Sequence, residues 1–434
     1  LPRADVVLHC GDLTKDSRSE EFERTLAMLR SIDAPLKLAI PGNHDFSLEP
    51  GYWRWTRDRS HPTQQQQHDH GSMPAQTSEA EDEDEDGADA KISWELLRRA
   101  ARHDSIFLFP QGTHIFAPPL DAGGGGGARL RLFASPLTPR LGNWGFQYDR
   151  SNPRKWAIPP TTANGDGTVD VVMTHGPPSV IRDGTGMMGQ GGVVAGAGCA
   201  RPRVHCFGHI HGAWGAELVA WKREMDASGA GGPNSPIFGN LIDAQQSRVL
   251  ASLPLASETT GGECSLGPPA RVTQPHHSSL REEAGCFAVE ISPDGEHAVE
   301  RGAQTLFVNA AVEPWSRPRR MPWLVDMDLP VAGEEDAAAA AETMSQLLLV
   351  LETRGQDQNR LCSPSRASRV LATSGDLGGN ATSPAEVGIA ATSSSKSGQI
   401  RGGGSLAMVL SSSLAAEDEG WDILWGRFPS ISTV

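Results

Sequence analysis

Tyrosine is nearly missing from this sequence, with two residues in 434, and aromatic residues together make up only 6%. Apolar residues reach 38%, against 48 glycines and 31 prolines. A chain this poor in apolar side chains cannot fill its whole length with packed domains. We expect one sizeable α/β core with polar insertions and a loose tail. Long apolar runs are lacking too. No stretch approaches the ~20 residues of a membrane-spanning helix, so no membrane partner is expected. Basic clusters are also missing, and the formal net charge is −15. That balance makes nucleic acid polymers poor candidate partners, and none is expected, although a metal can still draw a small phosphate into a site. The six cysteines (Cys10, Cys199, Cys206, Cys264, Cys286 and Cys362) form no C-x-x-C pair and read as reduced thiols. A reducing compartment, and so a cytoplasmic location, is the expectation. No secretory signal is visible, and position 1 is a leucine in mid-pattern, so a segment upstream of it is expected.

What is present is a set of short β-branched runs that end in polar turns. Val6–His9 leads into Gly11-Asp12, and Leu36–Ile40 leads into Pro41-Gly42-Asn43-His44-Asp45. Val169–Met173 leads into His175-Gly176, and Val204–Phe207 into Gly208-His209-Ile210-His211. Between the first two runs, Phe22, Leu26 and Leu29 fall at i, i+4 and i+7, which predicts a helix from Ser17 to Ile32 and a parallel βαβ unit. Further strands are expected at 106–109, 114–116, 130–134, 217–221, 286–291, 305–308 and 323–328, with a helix from Ile92 to His103. The segments at about 57–90 and 226–283 read as low-complexity insertions. The segments 135–139 and 144–146 read as loop, as do the glycine-rich residues 184–198. The folded domain therefore covers 1–330, with 331–434 a disordered tail holding one helix at 337–352.

In open α/β sheets, ligands bind beyond the carboxyl ends of the strands. Asp12, Asn43, His175, His209 and His211 all fall there. Mixed oxygen and imidazole donors suit Mn²⁺, Fe²⁺ or Zn²⁺, whereas an all-oxygen set would indicate Mg²⁺ or Ca²⁺. A pair of ions ~3.5–4 Å apart needs a shared carboxylate, and Asp12 is the natural bridge. His209 and His211 stand at alternate positions of an extended segment and so point the same way. His44 sits beside a ligand, placed to protonate a leaving oxygen or to stabilise phosphoryl charge. Other candidates carry less. His68, His70 and the acidic run 79–89 read as solvated, His9 and Cys10 as strand packing, and His61, His103 and His114 as surface or core. The glycine runs 123–127 and 402–404 lack the Lys-Ser/Thr of a phosphate loop, and no G-x-S-x-G or H-E-x-x-H occurs.

Taken together, Gly11-Asp12, Gly42-Asn43-His44-Asp45, His175-Gly176 and Gly208-His209-x-His211 resemble the calcineurin-like metallophosphoesterase superfamily. Leu8 to Thr14, Thr174 to Pro178, His205 to His211 and Val308-Asn309-Ala310 look like its metallophosphoesterase domain-containing branch. The resemblance implies an αββα sandwich of two mixed sheets flanked by helices, and a dinuclear centre. It also implies phosphodiester hydrolysis by a metal-activated water, with small or cyclic-nucleotide phosphodiesters as substrates. By motif, Asp12 would bridge two divalent ions, Asn43, His175 and His209 would complete one site, and His211 would belong to the other. His44 would be the catalytic histidine. The family's upstream Asp-x-His strand has no counterpart before Asp12, which implies one incomplete metal site and an impaired chain. The alternative implied is a non-catalytic scaffold on the same fold. A protein Ser/Thr phosphatase is disfavoured, because Gly11-Asp12 lacks the Asp-Arg-Gly extension of those enzymes.

Overall fold

Val6, Val7 and Leu8 are fully shielded from solvent, as three consecutive residues must be in a strand covered on both faces. A computed structural model of the protein describes residues 1–49, 82–118, 127–149, 158–159, 168–178, 200–222, 241–252, 281–283, 285–312, 320–361 and 405–411. Of these, 82–88, 281–283, 354–361 and 405–411 are described by their backbone alone. The histidines at 61, 68 and 70 and the glycine-rich runs 184–198 and 402–404 lie outside the described residues. So does most of the run 123–127.

Strand β1 (Val6–His9) continues through helix α1 (Ser19–Ser31) to β2 (Leu36–Ala39), and helix α2 (Asp82–His103) precedes β3 (Ile106–Leu108). Glu20 and Glu21 occupy the first turn of α1 and Arg30 the last, as the helix dipole favours, while Phe22, Leu26 and Leu29 face the core. After β4 (Gly112–Phe116) and β5 (Leu130–Ser135) come the two-residue strands β6 (Thr138–Pro139) and β7 (Gln147–Tyr148). Then follow β8 (Val171–Thr174), β9 (Val204–Phe207), β10 (Gly215–Trp221), β11 (Ile242–Ser252) and β12 (Arg281–Glu283). The chain closes with β13 (Cys286–Glu290), β14 (Gln304–Asn309), β15 (Trp323–Asp328), helix α3 (Glu334–Leu361) and β16 (Ser405–Ser411).

Fourteen of these strands form two mixed seven-stranded sheets flanked by helices, as expected, while β6 and β7 pair apart. Sheet one has the order β12-β13-β15-β16-β1-β2-β3 and sheet two β11-β10-β14-β9-β8-β5-β4. The neighbours β1 and β2 run parallel, and so do β8 and β9. One apolar core joins both sheets, running from Leu8 and Leu38 to Met173 and Cys206. Helix α2 packs on α1 and β3, and α3 packs on α2 and β4.

Four expectations need correction. The acidic run is not wholly loop, because the backbone is helical from Asp82 onward. Carboxylates in the opening turns suit the positive end of a helix. Farther along, the Ser19 hydroxyl donates to Asp89 at 2.5 Å and docks α2 beside α1. The second insertion contains β11, which pairs antiparallel with β10 at the edge of sheet two. Its exposed residues include Gln245, Gln246, Arg248 and Val249, so no alternation of apolar and polar side chains marks it. The segment 135–139, expected as loop, contains β6, which pairs parallel with β7 just after the expected loop 144–146. Lastly, β16 enters sheet one between β15 and β1, far outside the expected folded domain.

Candidate metal centre

Each polar turn leaves the carboxyl end of a strand, and the two sheets bring four of those ends together. Gly42 is the point of closest approach. A Cβ there would lie 2.3 Å from the Asp12 nitrogen and from Asp12 Oδ1, and 2.6 Å from His175 Cε1. Asp12 and His209 both adopt left-handed backbone, with φ of 56° and 67°. Non-glycine residues rarely do so, and such strain concentrates where geometry serves function.

Asp12, His175 and His209 each offer a ligand atom, and these atoms all lie within 4.8 Å of one another. His175 is fully buried, and its Nδ1–H donates to the Cys10 carbonyl at 2.8 Å. A carbonyl only accepts, so the hydrogen sits on Nδ1 and the lone pair on Nε2. That lone pair faces Asn43 Oδ1 at 2.9 Å and Asp12 Oδ1 at 3.2 Å. The Asp12 oxygen is held from behind by the His44 backbone N–H at 3.1 Å. Three electron-rich atoms thus converge in a buried place, and only a proton or a cation can relieve them.

The electrostatics follow from this crowding. Burial by itself would raise the Asp12 carboxyl, but the His175 ring, with His44 and His209 beyond it, holds it well below the usual carboxylate range. Burial would lower His175, yet the charge and hydrogen bond of Asp12 outweigh it and raise the ring above its ordinary value. His209 is pushed down to about 3, by burial first and then by His175. The shifts of Asp12 and His209 leave an ionised carboxylate and a neutral imidazole suited to metal ligation, whereas His175 must give up its Nε2 proton before it can ligate.

His44 is partly exposed at the mouth of the site. Its Nδ1–H donates to the Lys15 carbonyl at 2.7 Å, which places the ring's lone pair on Nε2. His211 opens a short 3₁₀ turn, His211–Ala213, and lies outside the Asp12, His175 and His209 group. Burial lowers its pKa, although Asp12 is near enough to oppose that shift.

Three supporting residues carried no role in the sequence reading. The Asp45 carboxylate accepts from Leu13 N at 3.0 Å, Thr14 N at 2.8 Å, the Thr14 hydroxyl at 2.7 Å and Gly42 N at 2.7 Å. It staples the Asp12 turn to the Asn43 turn. Asn309 donates through Nδ2 to the Ile210 carbonyl at 2.9 Å, fixing the backbone between His209 and His211. The third is His205. The Thr174 hydroxyl donates to Gly176 O at 2.8 Å, so it accepts from His205 Nε2–H at 3.0 Å. A carboxylate directly after Gly-Asn-His, with a threonine two residues past Asp12, was the available signal for Asp45.

Burial alone pushes His205 down to about 3. The unfolded chain, with histidine near its ordinary ~6.5, then binds a proton that the folded chain refuses. This contribution to stability is complete above pH ~6.5 and is lost as the pH falls toward 3. We expect urea midpoints to decline through this acid window. His205→Gln should remove about one proton from the uptake on unfolding, and an unchanged slope would show that His205 is not held neutral.

The match to known proteins identifies the first part of the chain. Residues 1–213 match the family model described as calcineurin-like phosphoesterase, a span that includes all six candidate residues. This stretch is a calcineurin-like phosphoesterase domain. Among curated relatives, the domain's chain is 24% identical over 240 residues to human metallophosphoesterase domain-containing protein 1, and equally to the mouse protein. That alignment covers 52% of this chain and 60% of the human protein. An Emericella nidulans protein named "Probable rhamnogalacturonate lyase C" is 29% identical over 233 residues, 51% of this chain and 16% of that protein. The chain therefore spans less than two thirds of these relatives. Among the described residues, no helix is long and apolar enough to cross a membrane.

Proposed function

We propose that the chain hydrolyses small phosphoesters, with a divalent ion held by Asp12, Asn43, His175 and His209 and a proton delivered by His44. What carries this reading is the meeting of the His175 Nε2 lone pair with two side-chain oxygens at 2.9 and 3.2 Å. The mixture of imidazole, amide and carboxylate donors suits Mn²⁺, Fe²⁺ or Zn²⁺. Such an ion, when bound, lowers the pKa of water and offsets charge on the phosphoryl oxygens.

The protein's own groups do the rest. The Cys10 carbonyl fixes the His175 tautomer, so no ligand has to reorganise when charge enters the site. The His44 N–H orients the Asp12 oxygen, while the His44 ring, anchored through Nδ1, keeps Nε2 for the leaving oxygen. A small or cyclic phosphodiester is the substrate class we favour, since the net charge of −15 opposes long polyanions. His211 and Asp12 are the donors for a second ion. With those two alone assigned to it, that ion should bind more weakly than the first.

Calorimetric titration with Mn²⁺ should give one tight equivalent per chain, followed by a weaker one. With Mn²⁺ present, the chain should turn over bis(p-nitrophenyl) phosphate. Asn43→Ala should lower that rate about 10–100-fold, the usual effect of disturbing a metal's surroundings. Equal turnover by both proteins would reject the assignment.

A further inference from the structure

Trp144 is a large apolar side chain left 39% exposed, and Leu141 beside it is 55% exposed. An exposed tryptophan on a free loop would mean little. This one is held in place. Its ring centroid lies 4.3 Å from that of His44, with the planes at 41°, and 6.4 Å from that of Phe46. The next residue, Gly145, donates its N–H to the Asn43 carbonyl at 2.9 Å. A Cβ on Gly145 would lie 2.7 Å from Phe46 Cα, so only glycine lets the two segments touch. Phe146 N–H then donates to the Glu49 carboxylate at 2.9 Å, and the Phe146 carbonyl accepts from Thr138 N at 2.9 Å. These three hydrogen bonds hold the backbone that follows Trp144, and its indole packs on the His44 ring.

We propose that Trp144 is a specificity-determining residue, whose indole packs against a planar aromatic group on the phosphoester. This inference rests on the phosphoesterase reading above. An ester oxygen within reach of His44 places the first atoms of its substituent next to Trp144. An alkyl chain gains little from a flat face there. An aryl or heteroaryl ring gains stacking contact, and the indole has lost its freedom before the ligand arrives.

Phenylphosphonate and methylphosphonate share one anionic head and differ only in the ring, so they isolate this contact. Calorimetry on the Mn²⁺-loaded chain should show phenylphosphonate binding about tenfold more tightly than methylphosphonate, the scale of one aromatic stack. Trp144→Ala should bring that ratio close to one, and Trp144→Phe should restore most of it. A ratio of affinities is insensitive to the fraction of chain that is folded. If the wild-type chain hydrolyses bis(p-nitrophenyl) phosphate yet binds the two phosphonates equally, the stacking role is overturned while the phosphoesterase reading stands. The same holds if the ratio survives in Trp144→Ala. If the wild-type chain neither hydrolyses the diester nor binds either phosphonate, both fall together.

Discussion

Asp45→Ala should melt roughly 5–10 °C below the parent chain and lose most of its Mn²⁺ affinity, though Asp45 is not among the proposed ligands. Its carboxylate is fully buried and accepts four hydrogen bonds, three from backbone N–H groups and one from the Thr14 hydroxyl. Burial, and then the nearby Asp12 charge, raise its pKa to about 7, while the donors pull the other way. Burying this group therefore has a cost, and removing it recovers that part. Stranding several buried donors costs more, at about 1–3 kcal/mol each before any water replaces the lost oxygen. The net loss should be about 3 kcal/mol, too large for a surface change. Asp45→Asn provides a graded case. It keeps an acceptor for Thr14 on one side but turns an amide N–H₂ toward the Gly42 and Leu13 donors. Thermal melts with and without Mn²⁺ check this, and a melting point within 1 °C of the parent would remove Asp45 from the supporting framework.

The second large effect contrasts two glycines in the same region. Gly42→Ala puts a methyl 2.3 Å from both the nitrogen and Oδ1 of Asp12, inside any tolerable contact. One of the two strand ends must then move. A displacement near 1 Å is enough to cost ~100-fold in rate when reacting groups must be held in register. Gly212→Ala meets nothing within 4 Å, although Gly212 directly follows His211. We expect Mn²⁺ binding and phosphodiester turnover to fall roughly 100-fold in the first variant and to stay within about twofold in the second. If both variants behave alike, close packing of the turns is not what shapes the centre.

The parts of this molecule that were legible in the sequence share a physical property. Strands β1, β2, β8 and β9 are covered on both faces, so they read as apolar runs, broken only by Lys37 in β2 and His205 in β9, and the polar residues that end them stand out. The members of the Asp12, His175 and His209 group were found in this way. Strand β11 was hidden because it pairs along one edge and exposes Gln245, Gln246 and Val249, which leaves no alternation to see. Helix α2 was partly hidden because its acidic opening has the composition of a solvated run, and its docking through Ser19 and Asp89 is tertiary. Asp45 and Asn309 escaped for a related reason. Much of what they hold lies far along the chain, 31 or 32 residues away for Thr14 and Leu13 and 99 for Ile210, so for Asn309 no local pattern marked the role and for Asp45 only the carboxylate after Gly-Asn-His did. Strand β16 escaped because nothing near residue 405 in the sequence announces a partner at residue 6.

That pairing of Val6 with Met408 sets an order of events during synthesis. Translation at about 5–20 residues per second leaves the first strand waiting tens of seconds for its neighbour. Closing a loop of some 400 residues then carries an entropic penalty of about 5 kcal/mol. Until the distal segment leaves the ribosome, Val6, Val7 and Leu8 lie along an open sheet edge, the kind of surface that chaperones shield and that aggregates recruit. Because Asp12 follows that strand by three residues, the turn that carries it can take its working form only after a segment some 400 residues downstream has been made.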